Sequence, residues 1–108
     1  MLSPASESMP SVLREGDTCW KVSTARRATL LIDGDEYFTA LRAAMLQARA
    51  QILIAGWDFD TRTQLPACGP EGSELRTAPA ELGELLGYLV RTRPGLDIQV
   101  MRWDYHPI

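Results

Sequence analysis

The pattern of hydrophobic and polar residues predicts strands that alternate with helices. Residues 52–55 are a continuous apolar run, too short for a helix and rich in β-branched side chains, which predicts a buried strand over residues 51–56. Apolar and polar residues alternate over residues 96–103, where another strand is predicted. The apolar residues 28–32 predict a strand that precedes both. Three short strands are therefore expected.

The segments between these predicted strands have the periodicity of helices. From Glu36 the apolar residues recur with a period of 3.6, which predicts a helix that ends near Ala50. Its buried face would contain Tyr37, Phe38, Leu41, Ala44, Met45 and Ala48. A second helix is predicted from Pro79, with Thr77 as its cap. Its apolar stripe is expected to be core: Leu82, Leu85, Leu86, Leu89 and Val90.

Turn and capping residues set the expected boundaries. A tight turn is predicted at residues 33–35, and Asp33 and Glu36 have the spacing of a capping box. The two residues Pro94-Gly95 should stop the second helix. Residues 59–78 contain several prolines and glycines without periodicity, so they are expected to form a long loop after the strand at 51–56.

The order strand, helix, strand, helix, strand predicts an α/β fold with a mostly parallel sheet and right-handed crossovers. Two helices are too few to cover both faces of such a sheet. Residues 14–108 are therefore expected to be the amino-terminal part of a larger domain, and exposed apolar surface should make the chain associate. The Ser- and Pro-rich residues 1–13 are predicted to be a disordered lead-in.

Composition narrows the function classes. The chain has 108 residues, 45% of them hydrophobic and 23% charged, which is typical of one small globular domain. Its net charge of -3 gives no general attraction for nucleic acid, so no nucleic-acid partner is expected. Two widely spaced cysteines, the absence of a signal-peptide pattern and the absence of a long apolar run favour a cytoplasmic protein.

Aromatic and acidic residues follow two of the predicted strands. Trp57, Asp58 and Asp60 follow the strand at 51–56, and Trp103 and Asp104 end the later one. Because ligands bind at the carboxyl ends of strands in open α/β sheets, these five residues are the candidate rim of a substrate pocket.

Structural roles for the same residues stay open. Both tryptophans could close the end of the sheet as large hydrophobic residues. The aspartates Asp58 and Asp104 could order neighbouring loops by accepting backbone hydrogen bonds, and Asp60 could pair with Arg62. Trp20 is expected to anchor the segment before the first strand, at the edge of the core.

Four stretches resemble the amino-terminal part of the phospholipase D superfamily, in particular bacterial phospholipase D and cardiolipin synthase-like proteins. The resemblance covers about positions 16 to 106. The stretches are Gly16-Asp17-Thr18-Cys19-Trp20, then Leu31-Ile32-Asp33-Gly34-Asp35-Glu36-Tyr37-Phe38-Thr39-Ala40-Leu41, then Ile54-Ala55-Gly56-Trp57-Asp58-Phe59-Asp60-Thr61-Arg62, and Arg93-Pro94-Gly95-Leu96 leading to Arg102-Trp103-Asp104.

The resemblance implies a phosphodiesterase or phosphatidyltransferase that acts on phospholipids through a phosphohistidine, with no required metal or other cofactor. Members of the family carry two copies of His-x-Lys-x-x-x-x-Asp, in which one histidine attacks phosphorus and the other protonates the leaving alcohol. This sequence contains neither copy, since its one histidine is His106 and its one lysine is Lys21. No catalytic residue can be assigned, and the chain alone is expected to be inactive.

The resemblance also implies partners. The complete protein would act on a phospholipid substrate, the remainder of the phospholipase D domain would supply the two motifs, and contact with the membrane would be peripheral. Which phosphodiester is cleaved or transferred stays open. The alternative is a non-catalytic binding or pseudo-enzyme α/β module. A WD-repeat blade is disfavoured because such blades are all-β, whereas two helices separate the strands here.

Overall fold

The computed structural model describes residues 10–103, which fall into two compact units divided after Leu30. The first unit has no helix or strand longer than a single bridge among its described residues. The second unit, which begins at Leu31, holds the regular structure. Its elements are α1 (Asp33–Gln47), β1 (Gln51–Gly56), α2 (Glu74–Thr77), α3 (Leu82–Thr92) and β2 (Asp97–Arg102).

A turn organises the first unit. The backbone N–H of Gly16 donates to the carbonyl of Cys19 at 2.8 Å, and Gly16 has the positive φ of +78° that favours glycine. Arg14 and Asp17 form an exposed ion pair across this turn, at 2.7 Å. Trp20 follows the turn with 91% of its surface exposed, so the prediction that it anchors the edge of a core is wrong.

The sheet has two strands in the described part of the chain, rather than three. Residues 28–32 form no strand, and the side chains of Leu30 and Ile32 are largely exposed. An apolar, β-branched run forms a strand only where a neighbouring strand accepts its backbone hydrogen bonds, and no described segment does so here. The α/β class and the parallel sheet are confirmed, whereas the β-α-β-α-β order is not.

The two strands pair in parallel as predicted. β1 has the predicted bounds, and β2 is one residue shorter at each end than residues 96–103. The prediction that β1 is a buried strand is wrong for one of its faces, since Leu53 and Ala55 are exposed. Their register pairs Ile52 with Ile98 and Gly56 with Arg102. α2 and α3 lie in the connection between the strands, as a parallel crossover requires.

The buried face of α1 is shifted from the predicted one. Met45 is buried as predicted, but Arg42 and Leu46 are also buried, while Tyr37 and Ala44 are exposed. Phe38, Leu41 and Ala48 are half-buried and pack against the core, as expected. The helix begins at Asp33, so residues 33–35 form its first turn and not a separate tight turn.

The two acids predicted as caps do accept backbone hydrogen bonds at the start of α1. The Asp33 carboxylate accepts from the N–H of Asp35 at 3.3 Å, and the Glu36 carboxylate accepts from the N–H of Ile32 at 2.7 Å. Asp33 has a φ of +56°, in the left-handed region that aspartate tolerates better than most residues. This local geometry lets the chain turn into the helix.

α3 provides more buried core residues than any other element of the described chain. Leu82, Leu85 and Leu89 are buried and Leu86 is half-buried, but Val90 is exposed, so the predicted stripe is one residue too wide. The buried leucines pack with Met45, Leu46, Leu65, Ala78 and Leu96. Ile52 of β1 and Ile98 of β2 pack against this cluster, which therefore covers one face of the sheet.

The connection between β1 and α3 contains a helical turn that the sequence pattern did not predict. α2 occupies four residues of the expected loop at 59–78. Thr77 ends α2, and its hydroxyl donates to the carbonyl of Ser73 at 3.0 Å, so it does not cap α3. α3 begins at Leu82, three residues after Pro79, with Glu81 at its N-cap.

The Arg42 side chain fastens this connection to α1. Arg42 is 0% exposed, and its guanidinium donates to three backbone carbonyls. The acceptors are Leu75 at 2.7 Å, Pro79 at 2.6 Å and Ala78. Burying a guanidinium is costly unless its N–H groups find acceptors, and three carbonyls converge here for that purpose. A charged residue thereby becomes part of the core.

A second set of polar contacts joins α2, α3 and the end of α1. The Glu74 carboxylate accepts from the Tyr88 hydroxyl at 2.7 Å and from the Arg93 guanidinium at 2.9 Å. Arg93 also donates to the carbonyl of Leu46 in the last turn of α1, at 2.8 Å. The Tyr88 hydrogen bond, followed by the Arg93 contacts, lowers the pKa of Glu74, against an opposing effect of burial.

Candidate functional site

The carboxyl ends of β1 and β2 lie side by side. Gly56 and Arg102 are register partners at the last position of each strand, and the N–H of Trp103 donates to the carbonyl of Gly56 at 3.2 Å. Trp57 and Trp103 each follow directly. The predicted position of both indoles at one end of neighbouring strands is therefore confirmed.

The two indole rings contact each other. The ring centroids of Trp57 and Trp103 are 5.2 Å apart and the ring planes are inclined by 39°. Trp57 is 80% exposed and Trp103 is 59% exposed, so neither ring closes the core from the end of the sheet. Exposure of large aromatic rings to water is unfavourable, and contiguous exposed apolar surface is typical of sites that bind a ligand or a partner.

An open pocket of about 380 Å³ lies at this end of the sheet. Of residues 10–103, five line it: Gly56, Trp57, Met101, Arg102 and Trp103. These five contain no carboxylate, hydroxyl, thiol or imidazole, so they provide a surface for binding and no nucleophile or general base. One guanidinium, that of Arg102, gives the lining its formal charge.

The apolar surface continues from the pocket along the outer face of the sheet. Side chains alternate between the two faces of a strand, so Leu53 and Ala55 share a face with Trp57. The register places Ala55 beside Met101 on the neighbouring strand. Leu53 and Met101 are both exposed, so this face is open where the opposite face packs on the core.

Two of the predicted acidic residues, Asp58 and Asp60, do not line the pocket. The Asp58 carboxylate accepts a hydrogen bond from the N–H of Phe59 at 2.8 Å, which is the loop-ordering role left open for it. The Asp60 carboxylate holds Arg62 through its two oxygens, at 3.0 Å from Nε and 3.1 Å from Nη2, and also accepts from the N–H of Arg62. These bonds lower the pKa of Asp60 and raise that of Arg62. Asp60 thus pairs with its neighbour.

The last predicted rim residue, Asp104, lies outside the described residues. Of the other four, the structure brings Trp57 and Trp103 together and leaves Asp58 and Asp60 in the loop beyond. Gly56, Met101 and Arg102 were not predicted as lining. The parallel register and the alternation of β2 would have indicated Met101, which is the register partner of Ala55.

The loop that leaves the site is held by α3. The N–H of Leu65 donates to the carbonyl of Ala80 at 2.7 Å, and the N–H of Leu82 donates to the carbonyl of Thr63 at 2.9 Å. Leu65 itself is fully buried. The loop therefore begins at an exposed site and returns within eight residues of Trp57 to a fixed position in the core.

Neither a metal centre nor a membrane span is present in residues 10–103. No three side chains among His, Cys, Asp and Glu cluster there closely enough to hold a metal ion. No helix of these residues is both long and apolar enough to cross a bilayer.

Comparison of the chain with protein-family profiles, with curated proteins and with solved structures gave no match.

Proposed function

We propose that this chain is the part of a phospholipase D-type phosphodiesterase or phosphatidyltransferase that contacts the phospholipid. The observation that supports this most directly is the pairing of Trp57 and Trp103 beside an open pocket at the carboxyl ends of two parallel strands. In open α/β sheets this edge is where ligands bind. The Gly-Trp-Asp and Arg-Trp-Asp stretches that resemble the family supply these two indoles.

The proposed division of labour follows from the side chains present. The pocket lining offers apolar contact and one positive charge, and the sequence has a single histidine and a single lysine. The remainder of the phospholipase D domain would therefore provide both His-x-Lys motifs. One of its histidines would attack phosphorus to form the phosphohistidine, and the other would protonate the departing alcohol.

The proposal includes a cytoplasmic protein in peripheral contact with the membrane. The exposed apolar face that contains Trp57, Met101 and Trp103 suits contact with lipid, since tryptophan favours the boundary between apolar and aqueous regions. Cys19 and Cys68 are both free thiols, as is usual in a reducing compartment.

The test has a binding arm and a catalytic arm. Purified 108-residue protein should bind monomeric short-chain phosphatidylcholine or phosphatidylglycerol, with a change in tryptophan fluorescence, and should release no alcohol from either lipid. Addition of a polypeptide that carries both His-x-Lys motifs should produce phosphodiesterase activity. Trp57→Ala should reduce that activity, whereas Trp20→Ala, which changes a tryptophan of the other unit, should not.

Two results would contradict the proposal. Turnover by the 108-residue protein alone, above a denatured control, would show that the assignment of chemistry to other residues is wrong. Failure to bind any phospholipid would contradict the proposal that phospholipid is the substrate. Lipid binding without complementation by any motif-bearing polypeptide would favour the non-catalytic binding module.

A further inference from the structure

We infer that the pocket at Trp57 and Trp103 receives the acyl part of a phospholipid and not its alcohol headgroup. This inference rests on the proposed function, because it takes a phospholipid as the ligand. The apolar lining of the pocket favours the acyl chains. The neighbouring carboxylates are already hydrogen-bonded, which disfavours a cationic headgroup.

The lining and its continuation are apolar. Gly56, Trp57, Met101 and Trp103 contribute no charge, and the surface extends over Ala55 to Leu53 on the same face of the sheet. Four residues of strand at about 3.3 Å each give this strip a length of roughly 13 Å. An extended hydrocarbon chain is the part of a phospholipid that such a strip can remove from water.

Within residues 10–103, the charges near the pocket oppose a cationic headgroup. Asp60 is held by Arg62, and Asp58 accepts from the backbone of its own loop, so neither carboxylate is directed to the pocket as an acceptor for an amine. Arg102, which belongs to the lining, carries the same sign of charge as choline or ethanolamine. The positive charge of Arg102 complements the negative charge of the phosphate group, which all phospholipids share.

The indole geometry also disfavours a quaternary ammonium group. Aromatic cages hold such a cation over ring faces, within about 6 Å of each centroid, with space between the rings. Trp57 and Trp103 instead contact each other, at a centroid separation of 5.2 Å. Their remaining exposed faces are flat apolar surfaces, against which methylene groups can pack.

The experiment varies the two ends of the lipid separately, below the concentration at which micelles form. In a Trp20→Phe protein, whose described tryptophans are the two of the pocket, dissociation constants are measured by calorimetry and fluorescence. One series keeps choline and changes the acyl chains from butanoyl to pentanoyl to hexanoyl. The other keeps hexanoyl chains and changes choline to ethanolamine or glycerol.

Affinity should rise by up to about fourfold for each methylene group that enters the pocket. It should change by less than about twofold between headgroups. Trp57→Ala and Trp103→Ala, both at exposed positions, should abolish the dependence on acyl length while the circular dichroism spectrum keeps its helical signal. Phosphocholine, a headgroup without acyl chains, should not compete.

Three outcomes would overturn the inference: affinity that follows the headgroup at constant acyl length, competition by phosphocholine, or acyl dependence that survives both tryptophan substitutions. Each of these requires that phospholipid binds, so the proposed function would stand. If neither the lipid monomers of the two series nor phospholipid vesicles bind, the proposed function fails first. Vesicle binding without binding of lipid monomers would also overturn the inference, since it would indicate contact with a surface and not with one chain.

Discussion

Gly83 of α3 lies directly against Thr61 of the loop that leaves the candidate site. The N–H of Gly83 donates to the carbonyl of Thr61 at 2.8 Å, and a β-carbon placed on Gly83 would be 2.9 Å from the β-carbon of Thr61. That separation is shorter than carbon atoms tolerate without movement. The loop and the helix can approach this closely because residue 83 has no side chain.

The first prediction follows from this close approach. Gly83→Ala should lower the free energy of unfolding by about 1–3 kcal/mol, because the loop must move away and the hydrogen bond to Thr61 must lengthen. Gly87→Ala, in the same helix, is the matched control. Its β-carbon would meet only the flexible end of Arg91, at 3.1 Å.

The control substitution should be neutral or stabilising by up to about 1 kcal/mol, since alanine favours helix over glycine. Urea unfolding of both variants measures the difference. Equal unfolding midpoints for Gly83→Ala and Gly87→Ala would show that the approach of Thr61 does not constrain residue 83.

The second prediction concerns the buried guanidinium. Arg42→Met should lower the free energy of unfolding by at least about 2 kcal/mol, because three backbone carbonyls lose their donor and each unsatisfied group costs about 1–3 kcal/mol. Arg49→Met is the control, since Arg49 is exposed, and its effect should stay within about 0.5 kcal/mol. Chemical unfolding followed by circular dichroism tests both. Similar losses in the two variants would contradict the structural role of Arg42.

The third prediction concerns pH. The pKa of Glu74 is lowered in the folded protein, chiefly by the hydrogen bond from Tyr88, so its contribution is complete above the ordinary glutamate pKa of about 4.3. The contribution is lost as the pH falls through the lowered value. Because the Glu74 side chain is 42% exposed, solvent screens the ion pair and the effect should be small.

Stability measured from pH 6 to pH 2 should therefore fall less steeply in Glu74→Gln than in the wild type. Glu84→Gln, at an exposed position of α3, should keep the wild-type slope. At alkaline pH the dependence is opposite, and the free energy of unfolding falls as the pH rises. The hydrogen bond to Glu74 raises the pKa of Tyr88, so Tyr88 contributes stability that is lost as the pH rises from the ordinary tyrosine pKa of about 10 through the raised value, and Tyr88→Phe should remove this loss. If the free energy of unfolding falls equally steeply with acid in the wild type and in Glu74→Gln, the acid-dependent contribution does not come from Glu74.

The fourth prediction concerns the indole pair. Trp57→Ala and Trp103→Ala should each change the free energy of unfolding by less than about 1.5 kcal/mol, since both rings are exposed and a ring pair contributes about 0.5–1.5 kcal/mol. Either substitution should remove the same exciton signal from the circular dichroism spectrum. Trp20→Ala should leave that signal intact. An exciton signal that survives Trp103→Ala would show that the rings are not paired in solution.

The parts of the fold that follow from local pattern could be predicted from the sequence. β1 is a continuous apolar run with Gln51 and Gly56 at its ends, so its bounds were correct. The adjacency of Trp57 and Trp103 followed from their equal positions after two parallel strands. A short apolar run bounded by polar and glycine residues is sufficient to place such a strand, although it did not show that the Leu53 face of β1 is exposed.

The errors occurred where distant contacts decide the structure. Arg42 appears as a polar residue in the pattern of α1, so the predicted buried face was displaced from the true one. α2 has only four residues, and its carbonyl contacts with Arg42 come from 33 residues away. Asp60 is a different case, because its partner Arg62 is only two residues away and this pair was the alternative that the sequence left open.

The Arg42 contacts also imply an order of events in folding. A single helical turn is too short to be stable in water by itself, because the cost of nucleation exceeds the few hydrogen bonds gained. The carbonyls of α2 and of the residues after it gain the Arg42 guanidinium as their donor only after α1 has docked, across a chain separation of 33 to 37 residues. α2 should therefore form late, and loss of the Arg42 side chain should accelerate unfolding while leaving the refolding rate nearly unchanged. We therefore expect α2 to open before α1 and α3 when this unit unfolds.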